Sequence, residues 1–401
     1  MGDLVLDDED EDAEVIINTD VLHEVLCRVD GVTLARAACA GSLLNSVSSS
    51  EKIWERVCNQ HWPSTRDPEV KAIIASLGGF RKFYGACIPL IVNKECSVFD
   101  TSDTAIRDSM EWFDDEQDMV EELLDTSLND FIFIVDLIFR DRPIISQVLH
   151  GIPGTGAVHG WFSNCPFRID LINQCYEEGE TEDLSEMAAC TDRNAMIIDG
   201  LPLVLSIEKE RKDGHVWKAL CEDINLSWIL INKKTKQMAN LASWRPLGGQ
   251  RHWPGDKDFL VLFGSVLPAH RLLASRVVQC SVVLKCRLLL NSDRVEKGER
   301  TSSLMVTELS MQLEDMAGMP LKGLHSLLVL KEVLGSSKSM NHPNVLKVYG
   351  QYVKAQSELK DRKHRIGGHV DVAEFHEEQS DQRYTISFET TLKNSKLVEL
   401  F

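Results

Sequence analysis

The sequence predicts an α+β chain, a small N-terminal helical module followed by a mostly antiparallel β-rich domain. Two observations carry this reading. From Val15 to about Trp62 the apolar residues recur at helical spacing. Beyond residue 128, runs rich in β-forming residues alternate with short polar turns. The chain accordingly divides into an acidic tail (1–15), the helical module (16–62), a helical segment with an acidic linker (63–127), the β-rich domain (128–334) and a tail of undetermined pattern (335–401).

The elements follow in order. DLVLDDEDEDAE (3–14) is a block of like charge that repels itself and cannot bury a core, which predicts disorder. In the next stretch Ile17, Val21, Leu22, Val25, Leu26 and Val29 fall on one stripe. Thr19 or Asp20 can cap its start, and Asp30-Gly31 supplies the stop. Thr33 then caps a second helix with Leu34, Ala37 and Ala38 inward, and Ser50 caps a third along Ile53, Trp54 and Val57. Helices of two or three turns are marginal in water, so these need contacts beyond themselves. Those contacts are either the chain's own β domain or a partner, and the residues alone leave both open.

ASLGGFRKFYGACIPLI (75–91) reads as one further helix, and SMEWFDDEQDMVEELLDTS (109–127) as a linker entering a short solvent-facing helix. FIFIVDLIF (131–139), a polar turn and PIISQVL read as two strands. LPLVLSIEK (201–209), HVWKALCE (215–222), LSWILIN (226–232), QMANLAS (237–243), FLVLFGSVL (259–267), VVQCSVVLKCRLLL (277–290) and SLMVTELSMQL (303–313) read as further strands. GLHSLLVLKEVLG (323–335) is a covering helix, and RYTISFE (383–389) a possible strand. The β half is expected to fold without the helices.

Composition narrows the function. A net charge of −19, from 62 acidic against 43 basic residues, argues against a nucleic-acid groove, which needs clustered cations. The nine-residue FIFIVDLIF is far short of the roughly 20 apolar residues a membrane helix requires. The 11 cysteines are scattered without a Cys-x-x-Cys pair, and no secretory signal segment opens the chain. That predicts reduced thiols and a nuclear or cytoplasmic protein. The 12 histidines lack metal-ligand spacing, so no metal and no cofactor is expected. GIPGTGAVHG (151–160) lacks the Gly-Lys-Ser/Thr continuation of a phosphate loop and reads as a flexible hairpin loop. MNHPNVLKVYG (340–350) is kinase-like in isolation, but no catalytic loop or Asp-Phe-Gly accompanies it. Nothing points to catalysis.

The helical stretch resembles the F-box, the module that docks substrate receptors on the Skp adaptor of Skp–cullin ubiquitin ligases. The family's paired positions hold Ile17-Asn18, Val21-Leu22, Val25-Leu26 and Val29-Asp30, then Leu34 to Cys39 and finally Trp54, with no gap across 17–54. Asn18 and Asp30 stand where the family has prolines, Leu44 where it has an aromatic, and Gly41 where it has a second Cys. Downstream, GGFRKFYGACIPLI, VDLIFRDRPIISQVL, GWFSNCPFRIDLI, LSWILIN, RPLGGQRHW and TELSMQLEDMAGMPLKG resemble a group of plant F-box proteins with a β-rich C-terminal half, to about residue 334. The resemblance implies a non-catalytic substrate receptor. Its adaptor contacts would be Ile17, Val21, Leu22, Val25, Leu26, Val29, Leu34 and Trp54. Its partners would be the Skp adaptor, cullin through it, and an unknown target protein.

Two other classes stay open: a carbohydrate- or small-ligand-binding β domain, and an adaptor-binding protein with no role in degradation. Tryptophans 161, 217, 228, 244 and 253 read mainly as core. The 245–258 stretch is the best candidate for holding a target. It reads as a loop, and it gathers Arg245, Arg251, His252 and Trp253, types common at binding hot spots.

Overall fold

The computed structural model describes residues 19–92, 116–123, 126–152, 165–173, 196–204, 206–251, 257–273, 275–289, 295–296 and 299–367. The acidic tail, most of the glycine-rich 151–160 segment and the strand expected over 383–389 lie outside them.

Helices come first: α1 (Thr19–Leu26), α2 (Gly31–Ala37), α3 (Ser42–Ser48) and α4 (Glu51–His61). A 3-10 turn at Pro63–Arg66 leads to α5 (Pro68–Leu77) and α6 (Phe80–Cys87). The single helix predicted over 75–91 is thus broken. Gly78 and Gly79 carry φ of 111° and 92°, values that terminate α5 without the strain a side chain would add. Leu90–Ile91 then forms a short strand, β1. After α7 (Glu116–Leu123), the strands β2 (Phe131–Phe139) and β3 (Arg142–His150) make the predicted hairpin, turning through Arg140 and Asp141 at positive φ.

The remaining strands are β4 (Arg168–Asn173), β5 (Ile197–Leu201), β6 (Ile224–Asn232), β7 (Gln237–Asn240), β8 (Gly248–Arg251), β9 (Asp258–Pro268) and β10 (Val277–Leu289). The short pair β11 (Val295–Glu296) and β12 (Glu299–Arg300) precedes β13 (Ser302–Glu314). Between β5 and β6 stand α8 (Ile207–Asp213) and α9 (His215–Asp223), where the sequence predicts two strands. Ser206 accepts the Lys209 N–H as an N-cap, and Gly214 ends α8 in the left-handed region. Val216 and Leu220, four apart, form the buried stripe of α9. α10 (Gly323–Gly335) matches the predicted covering helix. The tail that the sequence left undetermined holds β14 (Lys338–Ser339) and α11 (His342–Gly367).

Among the described residues these strands build two main sheets. One runs β14-β1-β7-β6-β2-β3 and is antiparallel apart from the β1–β7 contact. The other runs β4-β13-β10-β9-β8, with β5 also on β13. One long edge of β13 therefore serves two short strands, β5 near Ser302–Met305 and β4 near Glu308–Gln312.

The alternation of side chains decides how the layers meet. On β2, Phe131, Phe133, Val135, Leu137 and Phe139 enter a core shared with the second sheet and α10. Ile132 and Ile134 point the other way, into a core shared with α4 to α6. β6 repeats this, with Leu226, Trp228 and Leu230 on the first side and Ile229 and Ile231 on the second. The linker helix α7 is not solvent-facing as predicted, because Met119 and Leu123 join the first core. On α11, Tyr349 and Tyr352 pack with Leu247, Val266 and Val277.

The expected boundary at 128 therefore cuts through packed structure. A fragment of residues 128–334 would uncover Ile132, Ile134, Ile229, Ile231 and Met238 and lose β1 and β14. Each buried side chain of this kind contributes about 1.5–3 kcal/mol relative to exposure. The fragment is expected to aggregate or to melt without a cooperative transition. A soluble fragment melting at the temperature of the full chain would contradict this packing.

Candidate functional site

The predicted adaptor stripe on α1 is two faces, not one. Leu26 is buried and Leu22 half-buried, both in the core that holds Leu34, Ile53 and Trp54. Val21 and Val25 point outward, at 61% and 52% exposure. Asp20, Glu24 and Arg28 flank them on the same outer surface. Glu24 and Arg28 pair at 2.8 Å one helical turn apart, and Arg28 holds the Glu24 carboxyl below its ordinary range. α3 packs against α1 and exposes Leu43, which sequence reasoning missed. On α1, Val21 and Val25 thus form an exposed apolar ridge edged by Asp20, Glu24 and Arg28.

The remaining residues of the predicted set hold this ridge up. Leu34 and Trp54 are interior, Val29 is half-buried, and Ile17 lies outside the described residues. Asp30, rather than Thr33, caps α2. Its carboxylate accepts the Val32 and Thr33 N–H groups at 2.9 Å and the Thr33 hydroxyl at 2.6 Å. The Thr33 hydroxyl, foremost, holds the Asp30 carboxyl low. Asp30 is therefore a working cap.

Beneath α2 lies an aromatic cluster. The Tyr84 ring stands 5.3 Å from Trp54, 5.7 Å from His61 and 5.8 Å from Trp62, centroid to centroid. Trp62 in turn meets Trp244 of the β half at 5.8 Å, and the Trp244 indole N–H donates to the Ile88 carbonyl at 3.1 Å. Trp54 donates to the Ser48 carbonyl at 2.7 Å, fixing α3 to α4. Burial pushes the Tyr84 phenol up and the His61 imidazole down. Tyr84 lies so close to Gly31 that a Cβ there would stand 2.3 Å from the ring carbon Cζ. No local signal in the sequence reveals this contact, since the two residues are distant in the chain.

The second predicted site fares differently. The 245–258 stretch is not all loop, because Gly248–Arg251 forms the edge strand β8 beside β9. Arg245 is exposed, and its guanidinium donates to the Glu222 carbonyl at the end of α9. Trp217, also on α9, stacks on Phe259 with centroids 6.4 Å apart and planes at 12°. Arg251 pairs with Phe259 in register, which places its backbone by that stack. His252 and Trp253 lie outside the described residues.

Comparison with known proteins gives matches over most of the chain. F-box protein At3g44326 of Arabidopsis thaliana is 29% identical over 325 residues, 80% of this chain and 74% of that protein. F-box protein At2g27310 of Arabidopsis thaliana is 26% identical over 356 residues, 87% and 88% of the two chains. A shorter match, 32% identical over 74 residues, is to F-box protein GID2 of Oryza sativa subsp. japonica and covers 18% of this chain and 35% of that one. No family model matches, and no solved structure does. The long matches support a plant F-box protein family for this chain.

The Gly31–Tyr84 contact generates a test. Gly31→Ala should overpack this junction and cost about 1–3 kcal/mol in denaturant melts. Tyr84→Leu should make the same alanine nearly harmless. Equal costs of Gly31→Ala in both backgrounds would contradict the contact.

Proposed function

We propose that this chain, similar along most of its length to plant F-box proteins, is the substrate-recognition subunit of a Skp–cullin–F-box ubiquitin ligase. Its helical module binds the Skp adaptor, and cullin through it, while the β-rich half holds a target protein. The supporting observation is the split of α1: its inner residues complete a core within the chain, and Val21 and Val25 are left in water. An adaptor groove that covers them would take this apolar surface out of water. The chain performs no bond chemistry in this role. Holding the acceptor lysine near the charged conjugating enzyme raises its effective concentration, which is sufficient for transfer. Nucleus or cytoplasm suits such a complex.

Within the β half, the proposed target contacts are Arg245 and Arg251 with the adjoining His252 and Trp253. The carbohydrate-binding alternative draws no support from the described tryptophans. Trp228 is buried, while Trp217 and Trp244 are half-buried against Phe259 and Trp62.

Val21→Asp with Val25→Asp places charge on an exposed ridge, so the melting temperature should hold while co-purification with the Skp adaptor is lost. Leu26→Asp should instead lower the melting temperature, because Leu26 is interior. Undiminished adaptor retention by the folded double valine variant would overturn the assignment.

A further inference from the structure

Under the helices the first sheet presents an apolar carpet of Ile132, Ile134, Ile229, Ile231 and Met238. One polar row interrupts it. In register across three strands, Ser146 of β3 lies opposite Asp136 of β2, and Asp136 opposite Ser227 of β6. Asp136 is 1% exposed. From the helical layer, Ser64 in the 3-10 turn donates its backbone N–H to Asp136 Oδ1 at 2.9 Å and its hydroxyl to Oδ2 at 2.5 Å. Ser146 adds a side-chain hydrogen bond, and Arg66 an attractive charge. Among the described residues, the buried Ser227 hydroxyl has no hydrogen-bond partner. Desolvation outweighs these contacts and raises the Asp136 carboxyl above its ordinary value.

A buried carboxyl is a poor source of stability. Well-packed apolar side chains of similar volume commonly do as well or better at such positions. What the row can supply is uniqueness. A carpet of isoleucines accepts a helical layer at several offsets of similar energy, because dispersion and desolvation have little direction. Two hydrogen bonds converging on one carboxyl are satisfied at a single offset. A slipped layer would leave the Ser64 N–H buried and unpaired and take both Ser64 contacts from Asp136, a penalty that removes the competitors.

We infer that Asp136, engaged by Ser64, is a positioning residue that fixes the orientation of the helical module, and so of the α1 ridge, against the β-rich half. The orientation stands on the contacts alone. Its consequence for transfer, a fixed span from adaptor to target, rests on the function proposed above.

The test uses the full chain with Asp136→Leu and Ser64→Ala combined, and spin labels on ketone amino acids introduced at Lys52 and Thr235, leaving the native cysteines untouched. Both label sites are exposed, one on α4 and one in the turn after β6. In the parent chain a single narrow distance is expected. In the combined variant the melting temperature should stay within a few degrees while the distance distribution at least doubles in width or splits. Asp136→Asn, which can still accept from the Ser64 N–H and donate to its hydroxyl, should keep the narrow distance. A distribution in the combined variant as narrow as in the parent overturns the proposal. So does broadening that appears only together with a matching loss of melting temperature in both Asp136→Leu and Ser64→Ala, since the row would then serve stability alone. Distances are read without adaptor, so a failure of adaptor binding counts against the functional reading and not against this one.

Discussion

β2 and β6 carry apolar side chains on both faces, and the rest of the molecule is arranged around that fact. An antiparallel sheet commonly leaves one face to water. Here neither face can be left so. The phenylalanine side of β2 is covered by the second sheet and α10, and the isoleucine side by α4 to α6. Elements from both ends of the chain are drawn into the same closure. β14 pairs with β1, and the Lys338 ammonium donates to the Ala86 carbonyl at 3.0 Å and to the Met238 carbonyl. That cation sits at the C-terminal end of α6, where the helix dipole favours it.

The helical module is consequently divided in its work. α4, α5 and α6 are occupied as a roof over the sheet, and their aromatic residues form the seam with Trp244. α1 joins that roof through Leu22 and Leu26, and its outer valines stay exposed. Helices too short to stand alone are thus stabilised from beneath, while Val21 and Val25 stay exposed among the described residues. In the proposed reading, docking and support fall on opposite sides of α1.

How much of this could be read in the sequence depended on how local the cause was. β2, β6, β9, β10 and β13 were legible, because long runs of branched and aromatic residues leave little alternative. α9 was not. HVWKALCE contains enough β-forming residues to mimic a strand, and its helical stripe is only Val216 and Leu220. The break at Gly78-Gly79 was written in the chain but outweighed by the apolar pattern on either side. At the site, periodicity identified α1 and its apolar residues, yet it could not separate the inner leucines from the outer valines. That separation depends on Trp54, Tyr84 and the sheet, all supplied by distant parts of the chain. Asp136 is an acid inside an apolar run, but its partner Ser64 is visible only in three dimensions.

Hydrogen–deuterium exchange of the full chain, with and without a saturating Skp adaptor, probes the central claim directly. The account predicts slowed exchange in residues 19–26 and 42–48, where Val21, Val25 and Leu43 are exposed, with the roof helices and β2 unchanged because they are already buried. Unchanged exchange across 19–26 in a formed complex, or protection confined to the β half, would contradict it.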